Sequence, residues 1–223
     1  MSTKKKILIA DSKGWFSVGK ELKRSAVISY VTQKSELSLQ AVKEIAPDII
    51  FFVHWSWIVP NEIHKNYQSI VFHTAPLPHG RGGSPIQNLI LAGYDFAPVC
   101  AIKMTDKLDA GPIYAKKEIS LEGSLADIFS RISHAINYLI GRILTENLTP
   151  LAQDGEVHVF RRLTEEDNKI RGEMSLEEIY DRIRMVDAIG YLPAFIELGG
   201  VTIQLCEAKL EGNRLYAKCT LKK

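Results

Sequence analysis

Apolar residues along the first third of the chain fall into two rhythms. Residues 6–10 and 26–31 are short strand-like runs, and residues 37–45 carry apolar side chains at helical spacing. Pro47 and Asp48 then break into residues 49–53, Ile-Ile-Phe-Phe-Val. A wholly apolar run suits a central parallel strand, because both of its faces are covered. Residues 70–72 form another such run. This strand–helix alternation predicts an α/β fold, a Rossmann-like and mostly parallel sheet flanked by helices.

Residues 74–85 follow neither rhythm and are dense in Pro and Gly, which reads as a long loop after a strand. In open α/β sheets the carboxyl end of a strand is where ligands bind. Ser84 and Pro85 read as the N-cap and first turn of a helix through Ala92. Strands are predicted at 99–104 and 113–119. Ser124 with Asp127 is a variant capping box that opens the longest helix, to about Glu146. Leu125, Ile128, Phe129, Ile132, Ile136, Leu139 and Ile143 form its buried stripe.

After Pro150 the pattern loosens. A strand is predicted at 157–161, and a short amphipathic helix at 175–186 opens with Ser175 and Glu178 as a capping box. Residues 201–221 alternate like a hairpin, with Gly212 and Asn213 as its turn. The chain therefore divides into a first domain, 1–164, and a small C-terminal α/β extension, 165–223, ending in the hairpin. The alternation of the tail fits a homodimer contact and fits equally well packing onto its own domain.

Composition excludes several classes. The 223 residues carry a net charge of +2, too little to point to nucleic acid, and 46% hydrophobic residues, ordinary for a soluble domain. Cys100, Cys206 and Cys219 lack metal-ligand spacing, so no metal and no disulfide framework is expected. The chain lacks the roughly 20 consecutive apolar residues that a membrane helix needs, and it lacks the pattern of a signal peptide, so the reading is cytoplasmic with no membrane partner.

Two residues stand out chemically. His73 ends an apolar strand and opens the Pro/Gly loop. Asp109 lies in Lys107-Leu108-Asp109-Ala110-Gly111-Pro112. A lone histidine is commonly structural, and an Asp before Ala-Gly-Pro commonly starts a turn. Together they are more informative: a carboxylate can fix the tautomer of a histidine and stabilise its cation. His64, His134 and His158 read as structural or solvated, and Trp15, Trp55 and Trp57 as core or pocket wall.

The stretch His73-Thr74-Ala75-Pro76-Leu77-Pro78-His79-Gly80-Arg81-Gly82-Gly83-Ser84-Pro85-Ile86-Gln87 resembles the signature loop of the folate-dependent formyltransferases. Met104 to Pro112 resembles that family's second signature, and Ile58-Val59-Pro60 stands where the family carries Ile-Leu-Pro. The resemblance implies formyl transfer from N10-formyltetrahydrofolate to an amine, with His73 and Asp109 as the catalytic pair. It places the cofactor at Trp57, Ile58 and Val59 and along Met104, Thr105, Asp106, Lys107 and Leu108. It places the acceptor at Thr74, Pro78, Arg81, Gly82 and Gly83; for Arg81 with its two glycines, a rigid turn with one solvated arginine is an equal reading. Two positions depart from the family. Its Asn two residues before the histidine is Val71, and its Ser two residues after is Ala75. The Asn is an oxyanion donor, and losing one such donor is typically worth about 3 kcal/mol. Asn88 and His54 are the nearest replacements in the sequence.

The tail is short and not distinctly basic, which argues against tRNA. The segments around 51–60 and 81–90 are most similar to formyltransferases acting on nucleotide-linked amino sugars and to formylation domains of nonribosomal peptide synthetases. The expected acceptor is thus a small nucleotide-sugar amine, a 4-amino-4,6-dideoxy sugar of the kind used in nonulosonic acid and surface-polysaccharide synthesis, and no nucleic acid. Three alternatives stand beside it: an aminoacyl group on a carrier or on tRNA, hydrolysis to formate, and a binding protein for folate or nucleotide sugar that has lost catalysis through Val71.

Overall fold

The computed structural model describes residues 4–223, so the first three residues of the expected 1–164 domain lie outside the described residues. In chain order the elements are β1 Lys5–Ala10, α1 Lys20–Ser25, β2 Ala26–Val31, α2 Leu39–Ile45, β3 Ile49–Phe52, α3 Asn61–Asn66, β4 Ser69–Thr74 and β5 His79–Gly82. Then come α4 Pro85–Leu91, β6 Phe96–Lys103, β7 Ile113–Ser120, α5 Leu125–Thr145, β8 His158–Phe160, α6 Leu176–Arg184, β9 Ala194–Leu198, β10 Val201–Glu211 and β11 Arg214–Lys222. Contacts divide the chain into two units. One takes Met1–Arg81, Pro98–Glu118 and Ser133–His158, the other Gly82–Ala97, Ile119–Ile132 and Val159–Lys223.

The first unit is organised by a sheet in the order β2-β1-β3-β4-β6-β7. β1 pairs in parallel with β2 and β3, and β3 with β4; β6 runs antiparallel to β4. All four residues of β3 are buried, as a strand covered on both faces requires. Leu8, Ala10, Val31, Val42, Ile50, Phe52 and Ile63 share one cluster on the sheet. Helix α2 starts where the Ser38 side chain accepts from the Ala41 N–H at 3.1 Å. Asn137 on α5 secures the chain after β1: its Oδ1 accepts from Gly19 N–H at 2.7 Å and its Nδ2 donates to the Ser17 carbonyl at 3.0 Å.

Asp11 closes the turn after β1. The residue is buried, and its carboxylate accepts from the N–H groups of Lys13, Gly14 and Phe16 at 3.0, 3.1 and 2.9 Å. Removing that acceptor strands three backbone donors. Asp11→Ala is expected to cost about 3 kcal/mol, read as a lowered urea midpoint at an unchanged slope. A midpoint equal to that of the wild type would dismiss the turn as a stability element.

In the second unit the predicted capping boxes form. Asp127 N–H donates to Ser124 Oγ at 3.2 Å and Ser124 N–H to Asp127 Oδ2 at 2.9 Å. Ser175 and Glu178 reciprocate in the same way at the start of α6. The tail carries more than a hairpin: β9, which the sequence reading did not foresee, pairs antiparallel with β10 and makes a three-stranded sheet in the order β11-β10-β9. Its register shifts between Cys206 and Lys209, where Glu207 takes a left-handed φ of 51°.

Several expectations are corrected. The segment read as loop from 74 to 85 contains β5, whose Gly-rich sequence hides strand character. Ser84 occupies the N-cap position of α4 at φ 47° without a capping hydrogen bond, because its Oγ accepts from Leu163 N–H at 3.1 Å instead. Along α5 the buried stripe takes in Ala135 and Ile140, and Phe129 is only half-buried, its ring tilted on Tyr191.

Candidate active site

Strand β4 sets the geometry. Side chains alternate along a strand, so Val71 and His73 point one way and Phe72 the other, onto Phe51 with ring centroids 5.9 Å apart. Antiparallel pairing places His73 opposite Cys100 and Val71 opposite Ile102. The connection from β6 to β7 then carries Asp109 to His73. Asp109 Oδ2 lies 3.6 Å from His73 Nδ1, and the two side chains are 10% and 8% exposed. His73 Nε2 is 2.7 Å from the Gly80 carbonyl oxygen. A carbonyl only accepts, so Nε2 carries a proton and donates. Nδ1 thus faces the carboxylate, and a proton held between them serves both.

Asp109 occupies the left-handed region at φ 49°, which an Asp tolerates better than most side chains. Two residues later Gly111 leaves no room for a side chain: a Cβ there would sit 1.7 Å from the Lys103 carbonyl oxygen. The Lys103 N–H in turn donates to the Pro112 carbonyl at 2.8 Å. Backbone packing, more than side-chain chemistry, therefore shapes this connection.

A cleft of about 350 Å³ opens beside Asp109. Its wall includes every residue expected to hold the cofactor: Trp57, Ile58, Val59, Met104, Thr105, Asp106, Lys107 and Leu108. Phe52, Trp55, Val71 and Ile102 complete its apolar side. Ile58 and Leu108 are 92% and 75% exposed, two large apolar side chains left in solvent at the cleft. Trp55 Nε1 is buried without an acceptor among the described residues. Such a donor is costly unless a ligand or water supplies the acceptor. A larger cavity of about 1080 Å³ lies along α1 and α5, but its wall holds none of the expected site residues.

His64, read from sequence as structural or solvated, also lines the cleft with a side chain only 6% exposed. Its Nε2 is 3.4 Å from Asp106 Oδ1 and 3.4 Å from Asn61 Oδ1. A histidine on a helix of mixed pattern gave no signal for this; only the fold carries α3 to the 104–109 segment. Gln153 was missed as well. Its amide bonds the Asp109 and Gly111 carbonyls at 2.7 and 2.9 Å and accepts from Arg81.

The acceptor residues expected from sequence do not gather at the cleft. Thr74 and Pro78 are buried outside its wall, as is Ala75, whose carbonyl accepts from Cys100 Sγ. Burial pushes the Cys100 thiol up to about 11, an unreactive thiol. Arg81 is bonded to Gln153. Gly82 and Gly83 serve close packing in the second unit: a Cβ would meet the Phe160 carbonyl oxygen at 2.7 Å and Arg162 Cα at 2.8 Å respectively. Neither proposed replacement for the missing Asn lines the cleft. The Asn88 Nδ2 donates to the carbonyls of Gly83, Ser84 and Arg161. His54 packs edge-on to Trp15, and burial lowers the pKa of its imidazole, with Asp11 opposing and Lys13 adding to the shift. Among the described residues no cluster of His, Cys, Asp and Glu fit to hold a metal occurs, and no helix is long and apolar enough to cross a membrane.

Residues 2–137 match the family described as formyl transferase, and residues 165–222 match the family described as methionyl-tRNA formyltransferase, C-terminal domain. The chain is similar to a solved methionyl-tRNA formyltransferase from Clostridium thermocellum, 38% identical with a TM-score of 0.92, over 98% of this chain and 99% of that one. It is 33% identical to the methionyl-tRNA formyltransferase of a Nitratiruptor species over 145 residues, 63% of this chain and 48% of that protein. A sugar N-formyltransferase from a Shewanella species shares the fold, with a TM-score of 0.67 at 15% identity over 91% of this chain and 96% of that one. The chain spans about half the length of the curated relatives it matches, 48% and 49% in two of them. With residues 2–137 and the tail both matched, this chain belongs to the formyl transferase family.

Proposed function

We propose that the chain transfers a formyl group from N10-formyltetrahydrofolate to a primary amine, with Asp109 and His73 as the groups that manage the proton. The observation that carries this reading is the placement of Asp109: it lines the cleft, and its carboxylate lies 3.6 Å from His73, a histidine behind that wall whose other nitrogen is already fixed. The cleft fits a flat heteroaromatic donor. Its volume lies in the usual range for small-molecule sites, its wall is largely apolar, and the Trp55 N–H lacks an acceptor among the described residues. Trp57, Ile58 and Val59 on one side and Met104 to Leu108 on the other hold the donor. When bound, it supplies an activated formyl carbon.

In the transfer, the amine nitrogen bonds to the formyl carbon as the bond to the donor nitrogen breaks. The amine gives up one proton and the donor nitrogen takes one up. Asp109 and His73 hold that proton between them. His73 cannot turn away while Gly80 holds Nε2, so the pair meets the amine in one geometry. Val71 offers no donor to the developing negative charge on the formyl oxygen. Trp55 lines the cleft and its buried N–H has no partner among the described residues; in our reading it turns to take that task.

For the acceptor, the likeness to the Clostridium thermocellum chain and the match of residues 165–222 favour the amine of methionyl-tRNA over the nucleotide sugar expected from sequence. A sugar acceptor remains the second reading for one reason. The tail from 165 to 223 carries eleven acidic and nine basic residues, a poor surface for phosphates. Incubation of the protein and N10-formyltetrahydrofolate with charged methionyl-tRNA, and in parallel with nucleotide-linked 4-amino sugars, decides between them by the formyl mass increment. A mass gain on neither sinks the proposed reaction.

Trp55→Phe keeps an aromatic wall and removes the donor. A lost hydrogen bond of about 1.4 kcal/mol corresponds to roughly tenfold weaker tetrahydrofolate binding or transfer. Calorimetric titration together with kcat reports which, and wild-type values in both would remove Trp55 from the site.

A further inference from the structure

We propose that Gln153 is a positioning residue for Asp109, and that strand β5 holds both members of the catalytic pair, His73 directly and Asp109 through Gln153. The inference rests on the reading of Asp109 under Proposed function. Leu151 pairs with Ile113 in both directions, N–H to carbonyl, at 2.8 and 3.0 Å, which lays residues 151–153 beside the start of β7. Two residues on, the Gln153 Nε2 donates to the Asp109 carbonyl at 2.7 Å and to the Gly111 carbonyl at 2.9 Å. Its Oε1 accepts from Arg81 Nε at 3.0 Å and Arg81 Nη2 at 2.7 Å.

The orientation of that amide is fixed by its partners. Two carbonyls can only accept and a guanidinium can only donate, so a flipped amide would face four mismatches. The side chain uses both its donors on the segment that carries Asp109 and its acceptor on β5. The neighbouring β5 residue, Gly80, receives His73 Nε2. Gly80 and Arg81 thus hold the pair from two consecutive positions, His73 directly and the Asp109 backbone by way of Gln153. Asp109 has need of such a hold, since its φ of 49° is one that a non-glycine residue keeps only when its surroundings impose it. Arg81 is then part of a frame, nearer to the rigid turn than to the acceptor contact, the two readings its sequence context allowed.

Gln153→Glu is the informative variant. It keeps the size of the side chain and an acceptor for Arg81, but it has no donor for either carbonyl. A displacement on the order of 1 Å at a reacting group costs about 100-fold, so kcat should fall by that order while the KM for the formyl donor stays near the wild-type value. Adding Gln153→Glu to Asp109→Asn should lower kcat little further, because the first acts through the second. Hydrogen exchange across residues 104–113 should quicken in Gln153→Glu. Gln153→Met, uncharged and of similar length, is read alongside in case the carboxylate unfolds the segment. Unchanged exchange in both variants overturns the clamp, as does a kcat loss that multiplies in full with that of Asp109→Asn. A wild-type protein that forms no formyl product overturns the proposed reaction instead, and the exchange measurement then decides the clamp alone.

Discussion

Asp109→Asn is expected to lower kcat for formyl transfer by about 10²–10⁴-fold, the range that a positioned acid–base group contributes. The substitution changes almost nothing but charge and proton affinity. The side chain is 10% exposed, and an amide of the same shape fits the same space without the cost of burying a carboxylate. What is lost is the acceptor facing His73 Nδ1. An amide nitrogen there would put a donor where a carboxylate could share a proton, and the amine's proton would have no place between the two side chains. Binding of tetrahydrofolate should change little, since the apolar wall from Trp57 to Val59 and the 104–108 segment stay intact. Single-turnover rates with either acceptor, alongside the binding constant, make the check. Equal rates in wild type and variant would remove Asp109 from the chemistry.

Much of this site was legible in the sequence, and the reasons are physical. The all-apolar runs of β3 and β4 have to be covered on both faces, so the sheet and the carboxyl end that bears His73 followed from hydrophobicity alone. The capping boxes at Ser124 and Ser175 are local: donor and acceptor lie three residues apart, and both formed. The residues expected to hold the cofactor lie in two short segments, which follow β3 and β6 on either side of β4 and line one cleft.

What the sequence hid depends on distant partners. Gln153 is an ordinary polar residue until the fold brings it beside residue 109, forty-four positions away. His64 is likewise an undistinguished helix residue until Asp106 faces it. Gly82 and Gly83 read equally as an acceptor contact or a rigid turn, and only the fold shows how closely they approach the backbone of Phe160 and Arg162. Strand β9 ends in Glu-Leu before Gly199 and Gly200, and its short, partly polar run carries no alternation long enough to announce a strand. Val71 is the converse case. The sequence marked it as a gap in chemistry, and it packs as a partly buried apolar residue against both clusters that flank β4.

The second large effect is expected at Gly111, a residue with no functional group. Its φ is not of the left-handed kind that usually explains a glycine, so the constraint is space alone. A methyl at this position would lie 1.7 Å from the Lys103 carbonyl oxygen and 3.1 Å from the Ile102 side chain. Neither can yield cheaply, since Lys103 is tied through its N–H to the Pro112 carbonyl and β6 is paired with β4. The connection that bears Asp109 must move instead, away from His73 and from Gln153. Overpacking of this kind costs about 3 kcal/mol, which for a chain of this size lowers Tm by roughly 6–12 °C. The same displacement, on the order of 1 Å, should reduce kcat by about 100-fold even well below the new Tm. The two readouts separate the effects: Gly111→Ala assayed well below its Tm is folded, so a rate loss there reports the position of Asp109 and not unfolding. A variant with wild-type Tm and wild-type rate would show that the segment from 104 to 112 adapts freely, and with it would go the view that the backbone around Gly111 sets the carboxylate in place.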